Sequence, residues 1–400
     1  MSATFKTIDE LDLKNKRVLL RGDLNVPVID GKVSDATRIE RLVPTIREIV
    51  RHDGKVILLS HFGRPKGKVD LNFSLEQVCS AVADKTGHPV GFVATDWTDV
   101  SAAIKAIEEA PAGSVLVMEN TRFHPGEEAN NPELAQRMAS LGDVYINDAF
   151  SAAHRAHAST EALARLLPAG AGLAMESELK ALEAGLGKPK KPVVAIVGGA
   201  KVSSKIDLLE NLVTKVDGLV IGGGMANTFL HAQGYGVGKS LCEKDLAETA
   251  LRIMDKAIDS GCAIILPIDA VVAWHFKADT PTRLYGVDAI DNDGMILDIG
   301  PSSIERIIGA IDDAHTVVWN GPMGAFEMNP FDVGTVALAK HVAKRTHEGK
   351  LISVAGGGDT VSALAHAAVK DEFTYVSTAG GAFLEWMEGK PLPGVEALKK

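Results

Sequence analysis

Four loops in the first half of the chain carry arginine or histidine: Arg21-Gly22-Asp23-Leu24-Asn25, His61-Phe62-Gly63-Arg64, Asn120-Thr121-Arg122 and Ala153-His154-Arg155. Each follows a short apolar run, and Arg38 stands at the expected start of a helix. Guanidinium groups bind carboxylate and phosphate oxygens through charge-assisted, often paired hydrogen bonds. Gathered uncompensated at one end of a sheet, they need an anion. Asp23 and Asn25 add acceptors for a ligand that carries hydroxyls as well. The second half holds a different set: Gly198-Gly199-Ala200-Lys201, Gly222-Gly223-Gly224, Gly356-Gly357-Gly358-Asp359-Thr360 and Ala379-Gly380-Gly381, again each past an apolar run. Bare glycine amides at helix starts suit a polyphosphate, and ligands of open α/β sheets bind beyond the carboxyl ends of the strands. Two chemistries in two halves imply two substrates brought together.

Single features need weighing against plainer explanations. A glycine-rich turn that opens a helix is ordinary strand-to-helix packing. Asp359 shifts that balance, because a carboxylate beside helix-terminal amides repels phosphate unless a divalent cation sits between them. Lys201 and Lys205 are four apart at an expected helix start, so they share one face and set two ammonium groups over the cradle. Otherwise they form a solvated helix edge. Glu327 is a candidate acceptor for ribose hydroxyls. The common nucleotide signatures are missing: no Gly-x-Gly-x-x-Gly follows a strand with an acidic residue some twenty positions on. Gly234–Ser240 fails as a Walker loop because Gln233 stands where its first glycine belongs. No His-Arg-Asp or Asp-Phe-Gly occurs.

These loops need a scaffold, and the apolar pattern provides one. Continuous Val/Ile/Leu runs at Val18–Leu20, Val56–Leu59, Val90–Val93, Val115–Met118, Val144–Ile146, Val193–Val197, Leu219–Ile221, Ala263–Leu266, Val317–Trp319, Ile352–Val354 and Tyr375–Val376 read as strands buried on both faces. Stretches of helical period lie between them, including Asp35–Val50, Leu75–Lys85, Ser101–Ala110 and Lys244–Ser260. The alternation predicts βαβ units and a largely parallel sheet. A length of 400 residues favours two domains. The cleanest break lies between Ala158 and Pro192, where Pro168–Gly172 reads as a breaker cluster and Glu176–Ala184 as a helix without a strand. A net charge of −10 and 5% aromatic residues argue against a nucleic-acid binder. Three scattered cysteines indicate neither disulfides nor zinc. Met1–Lys16 lacks the apolar segment of a signal peptide, and no stretch approaches the roughly 20 apolar residues of a membrane helix. A soluble cytoplasmic protein is expected.

With those residues assembled, the chain resembles the phosphoglycerate kinase family over its full length. Leu19–Pro27, Ser60–Pro65, Glu119–Phe123 and Asn147–Phe150 with Ala153–His157 are similar to the motifs of the family's first domain. Gly199–Val202 with Lys205, Trp319–Pro322, Gly356–Thr360 and Ser377–Ala382 are similar to those of its nucleotide domain; Ala379 stands where the family usually has glycine. The resemblance implies two Rossmann-like α/β domains, each a mainly parallel sheet covered by helices, facing across a cleft with a hinge. They would comprise residues 1–172 with the tail 386–400, and residues 173–385. By resemblance, Asp23, Leu24, Asn25, Arg38, His61, Phe62, Gly63, Arg64, Arg122 and Arg155 bind 3-phosphoglycerate or 1,3-bisphosphoglycerate. Lys201, Lys205, Asn320, Glu327, Gly357, Gly358, Asp359 and Thr360 hold ATP or ADP, with Asp359 nearest Mg²⁺. Arg38, Lys201 and Lys205, with the amides of Gly358 and Gly381, would stabilise the transferring phosphoryl group. A glycolytic monomer is implied. The acceptor carboxylate, with a reference pKa of about 3.5, is already ionised, so His61 and His154 should orient and not abstract protons. Two rivals are a nicotinamide-dependent dehydrogenase, disfavoured by the absent fingerprint, and a non-catalytic nucleotide binder, disfavoured by Arg38, Lys205 and Asp359.

Overall fold

The computed structural model describes residues 5–400; the first four residues of the Met1–Lys16 stretch lie outside the described residues. The chain divides into two compact units, one formed by the chain up to Leu179 with Pro391–Lys400, the other by Lys180–Lys390. The division thus falls inside the helix Leu173–Leu182 and not at 172/173. The reason is local: Asp148 accepts the Met175 amide at 2.9 Å and Thr45 accepts that of Leu173 at 3.0 Å, tying the helix start to the first unit.

In the first unit, β1 (Arg17–Arg21) precedes a short hairpin of β2 (Val28–Ile29) and β3 (Lys32–Val33), then β4 (Lys55–Leu59), β5 (Val90–Val93), β6 (Val115–Met118), β7 (Val144–Asn147) and β8 (Ala169–Ala171). Six of these pair in the order β5-β6-β4-β1-β7-β8, all parallel. The runs are continuous because both faces are covered. The helix Thr37–Arg51, for example, buries Ile39, Leu42, Val43, Ile46 and Ile49, spaced three or four apart, against Leu20, Val56 and Ile146. β8 corrects the reading of Pro168–Gly172 as a breaker. Its small residues are buried because the N-terminal segment lies along them, with the Ala171 amide donating to the Lys6 carbonyl at 2.9 Å.

The second unit contains β9 (Val193–Val197), β10 (Gly218–Ile221), β11 (Ala263–Ile265), β12 (Asp269–Ala273), β13 (Thr282–Gly286), β14 (Met295–Ile299), β15 (Thr316–Asn320), β16 (Ile352–Gly356) and β17 (Tyr375–Ser377). Its parallel sheet runs β11-β10-β9-β15-β16-β17, the strand order of dinucleotide-binding folds. Trp319, Ile196, Val317 and Leu338 lie in its core. The antiparallel sheet β13-β12-β14 was not anticipated, since its strands mix charged with apolar residues and are half-exposed. In each parallel sheet the chain direction across the sheet reverses once, between β1 and β7 and between β9 and β15. Such a reversal leaves a crevice at the strand ends.

Candidate functional site

The loops after β1, β4, β6 and β7 meet at one crevice of the first unit. Arg21, the last residue of β1, is fully buried. Its Nε donates to Ser159 Oγ and its Nη2 to His61 Nδ1, each at 2.9 Å, and its Nη1 to the Gly22 carbonyl. The Asp23 carboxylate accepts from Arg38 Nη1 at 3.1 Å, from Ser151 Oγ at 2.5 Å and from the Asn25 amide at 3.1 Å. Asn25 Oδ1 accepts the Gly63 amide at 2.9 Å, Leu24 donates its amide to Ser60 Oγ at 2.9 Å, and Arg122 Nη1 donates to the Gly63 carbonyl at 2.8 Å. Asn120 staples the His61–Gly63 loop, accepting the Phe62 amide at 3.2 Å and donating to the Phe62 carbonyl at 2.7 Å.

The arginines were expected to be uncompensated, and the structure corrects this in part. Arg38 is paired with Asp23 and Arg122 with Glu128, at 3.1 and 3.2 Å. The compensation lies within reach of the backbone turns themselves, which spacing cannot reveal. Arg64 and Arg155 are exposed and have no carboxylate partner among the described residues. The field of the cluster remains positive. Burial, then Arg21 and Arg122, hold the His61 imidazole well below its ordinary range. Burial, then Arg122 and Arg21, lower His157 to about 3. Both rings are therefore neutral at physiological pH, and the repelling charge belongs to groups at the ends of β1, β6 and β7.

In the second unit, Lys201 and Lys205 do not share a helix face. Lys201 is extended (φ −136°, ψ 132°) and exposed, a short turn covers Val202–Ser204, and the helix begins at Ile206. Lys205 alone turns inward. Its Nζ donates to the Gly198 carbonyl at 2.6 Å, to Asn320 Oδ1 at 2.6 Å and to the Asn320 carbonyl at 3.3 Å. Burial lowers this ammonium to about 8, with Asp359 pulling the other way. The Asn320 side chain continues to the Gly356 carbonyl at 2.8 Å, and the Gly321 amide donates to Thr360 Oγ1 at 2.7 Å. A Cβ on Gly198 would sit 1.8 Å from the Pro322 carbonyl oxygen, so only glycine permits this approach of the loops after β9 and β15.

Gly357, at φ +99°, turns the chain from β16 into the helix Gly358–His366, whose first amides have no side-chain cap. The helix Gly380–Met387, carrying Gly381, is likewise uncapped. Ala379 precedes it at φ −95°, a conformation that tolerates its Cβ. Beside these helix ends opens a cavity of about 480 Å³ lined mainly by apolar groups, among them Leu241, Phe276 and Met323, with Glu327 and Asp359 exposed at it. The described residues contain no cluster of three metal-ligating side chains. One carboxylate, Asp359, is a fit for Mg²⁺ that arrives with phosphates, which needs few protein ligands. The Gly234–Ser240 loop is structural, its Lys239 amide donating to the Gly294 carbonyl at 2.8 Å.

Residues outside the motifs also build these sites. Glu127 and Ser159 lock the first, together with Arg21 and Asn120 of the motif loops, and Asp298 lines the cavity of the second unit, its carboxyl raised to about 7 by burial while it accepts two amides. Buried charge adjoining a motif, as in Gly126-Glu127, was the only available signal.

A family model described as phosphoglycerate kinase matches residues 8–390. A phosphoglycerate kinase of Rhodopseudomonas palustris is 66% identical over 399 residues, covering 100% of both chains. One from Brucella abortus is 63% identical, covering 99% of this chain and 100% of the other. The solved phosphoglycerate kinase of Coxiella burnetii superposes with a TM-score of 0.92 at 44% identity, covering 98% of each chain. That of Pyrococcus horikoshii gives 0.79 at 28% identity, also with 98% of each covered. The loops described above thus sit in a chain that matches along its whole length, and the chain belongs to the phosphoglycerate kinase family of phosphotransferases.

Proposed function

We propose that this protein reversibly transfers the acyl phosphate of 1,3-bisphosphoglycerate to MgADP, giving 3-phosphoglycerate and MgATP, as a cytoplasmic glycolytic enzyme. The observation that supports this most is the contrast between the two crevices: buried arginine and histidine in one unit, glycine amides with a desolvated lysine in the other. In this reading Asp23 and Asn25, held by Arg38 and the Gly63 amide, orient the glycerate. His61, Arg64, Arg122 and Arg155 hold its phosphate, with Leu24, Phe62 and Gly63 as the packed loop beneath. Lys205, Asn320, Gly357 and Thr360 build the phosphate cradle, Lys201 lies at its exposed edge, and Glu327 takes the ribose. Asp359 would supply a protein carboxylate to Mg²⁺ bound with the nucleotide, and the metal would offset phosphate charge.

The chemistry then needs positioning more than proton transfer. A carboxylate nucleophile requires no base, in keeping with histidines held neutral by their surroundings. Reacting atoms must come within about 3–3.5 Å and in line. The amides of Gly358 and Gly381, with Arg38 and Lys205, offset charge on the moving phosphoryl group. Water must stay out, or the acyl phosphate hydrolyses.

A coupled assay of ATP formation tests the activity directly, and no ATP from 1,3-bisphosphoglycerate and ADP would overturn it. Arg38→Ala should lower turnover by roughly 10³, the scale of a lost transition-state arginine, with circular dichroism unchanged; turnover within tenfold of the parent would remove Arg38 from the reaction. Asp359→Asn should raise the Mg²⁺ concentration for half-maximal rate and spare the affinity for 3-phosphoglycerate. Equal loss of both affinities would contradict the metal role. Lys205 sits at about 8 in the free protein, and a bound polyphosphate favours its charged form. Nucleotide binding should therefore take up protons above about pH 8 and take up few below it, as read by calorimetry in buffers of different ionisation enthalpy. Equal uptake in Lys205→Met would contradict this.

A further inference from the structure

Glu127 is fully buried, and among the described residues no lysine or arginine pairs with it directly. Its carboxylate is satisfied by the Ser159 amide at 3.0 Å, Ser159 Oγ at 2.5 Å and Thr121 Oγ1 at 3.2 Å. A buried carboxylate held by neutral donors alone is costly unless a cation stands nearby. That cation is Arg21, one hydroxyl away, whose Nε reaches the same Ser159 Oγ at 2.9 Å. The direction of each bond is forced. Arginine only donates, so Ser159 Oγ accepts from Arg21 and spends its single proton on Glu127. By the same rule Arg21 Nη2, 2.9 Å from His61 Nδ1, must donate to it. Nδ1 therefore carries the lone pair, and the proton of the neutral ring resides on Nε2.

We propose that Glu127 and Ser159 are positioning residues that act through Arg21 to fix His61 as the Nε2-protonated tautomer, giving the phosphoglycerate crevice a permanent N–H donor. The relay joins four segments: the end of β1, the His61 loop, the loop after Arg122, and the turn Ala158–Ala162. The turn is held independently, by the Ala158 amide on the Glu127 carbonyl at 2.9 Å and by the Tyr145 hydroxyl on the Ser159 carbonyl at 2.8 Å. Loss of one side chain should thus disturb the relay before it disturbs the turn. Arg122, Arg155, His154 and His157 also face this cluster. Their positive field discourages a second proton on the ring but does not choose between its two nitrogens. Only the Arg21 donor makes that choice.

The assignment rests on the phosphoglycerate reading of this crevice, and its test separates the two. Nitrogen-15 NMR of the histidines in the ligand-free full-length protein reports which ring nitrogen is protonated. The parent should show His61 as a single Nε2–H tautomer. Ser159→Ala should turn it into a mixture and raise KM for 3-phosphoglycerate about tenfold, the scale of one charged hydrogen bond, with kcat and KM for MgATP nearly unchanged. Glu127→Gln keeps the volume and one acceptor, and should shift both readings in the same direction if the alanine variant fails to fold. A His61 tautomer unchanged in both variants, or a lower kcat and a raised KM for both substrates together with a lowered urea midpoint, would overturn the relay. A parent protein that shows the single tautomer but no saturable binding of 3-phosphoglycerate would instead overturn the reading of the crevice.

Discussion

A cation taken out of water has to be satisfied without being neutralised if it is to bind an anion later, and both crevices of this protein are built around that requirement. Lys205 is held by two carbonyls and an amide oxygen, and Arg21 by a carbonyl, a hydroxyl and an imidazole. These acceptors meet the directional needs of the N–H groups and leave the formal charge largely in place. Burial first, and then this residual charge, hold His61 and His157 in their neutral forms. In a chain of net charge −10 such local positive potential has to be constructed. Arg38 and Arg122 depart from the pattern, each facing a carboxylate, and Arg38 keeps the more exposed side chain of the two, 41% against 5%.

The folds follow from the same need. Carbonyls and amides free to serve a ligand occur at strand ends and helix starts, and a parallel sheet gathers both on one edge. The reversal of strand order then brings the loop after β1 beside the loop after β7, and the loop after β9 beside that after β15. In the second unit this works only because Gly198 has no side chain to strike Pro322. In the first, the C-terminal tail packs behind the site, with the Gly394 amide on the Ala153 carbonyl at 2.9 Å. The chain's last residues thus brace the loop that bears His154 and Arg155.

Much of this was legible in the sequence because strands buried on both faces are continuous apolar runs, and the functional loops follow them directly. The eleven runs read from the sequence fall in the two parallel sheets. What escaped had a different physical basis. β8 is Ala-Gly-Ala, and it is a strand because the N-terminal segment covers it, a contact no local pattern encodes. β13 is half-exposed and alternates weakly. Lys201 and Lys205 share a helical spacing, yet an extended residue and a tight turn separate them, so spacing alone gave the wrong geometry. Glu127 and Ser159 are ordinary polar residues in sequence and become informative only once buried. The cations proposed to bind ligand stand out by type; their supports do not.

If two crevices on separate units serve one phosphoryl transfer, as proposed, bound ligands must draw the units together. Under that proposal, either substrate alone would engage mainly one unit and have little differential affinity for a closed form, whereas both together would bridge the two. Small-angle X-ray scattering tests this most directly. The radius of gyration should fall clearly with 3-phosphoglycerate plus a non-hydrolysable MgATP analogue, and less with either ligand alone. A radius unchanged in the ternary complex at saturating ligand would contradict the claim.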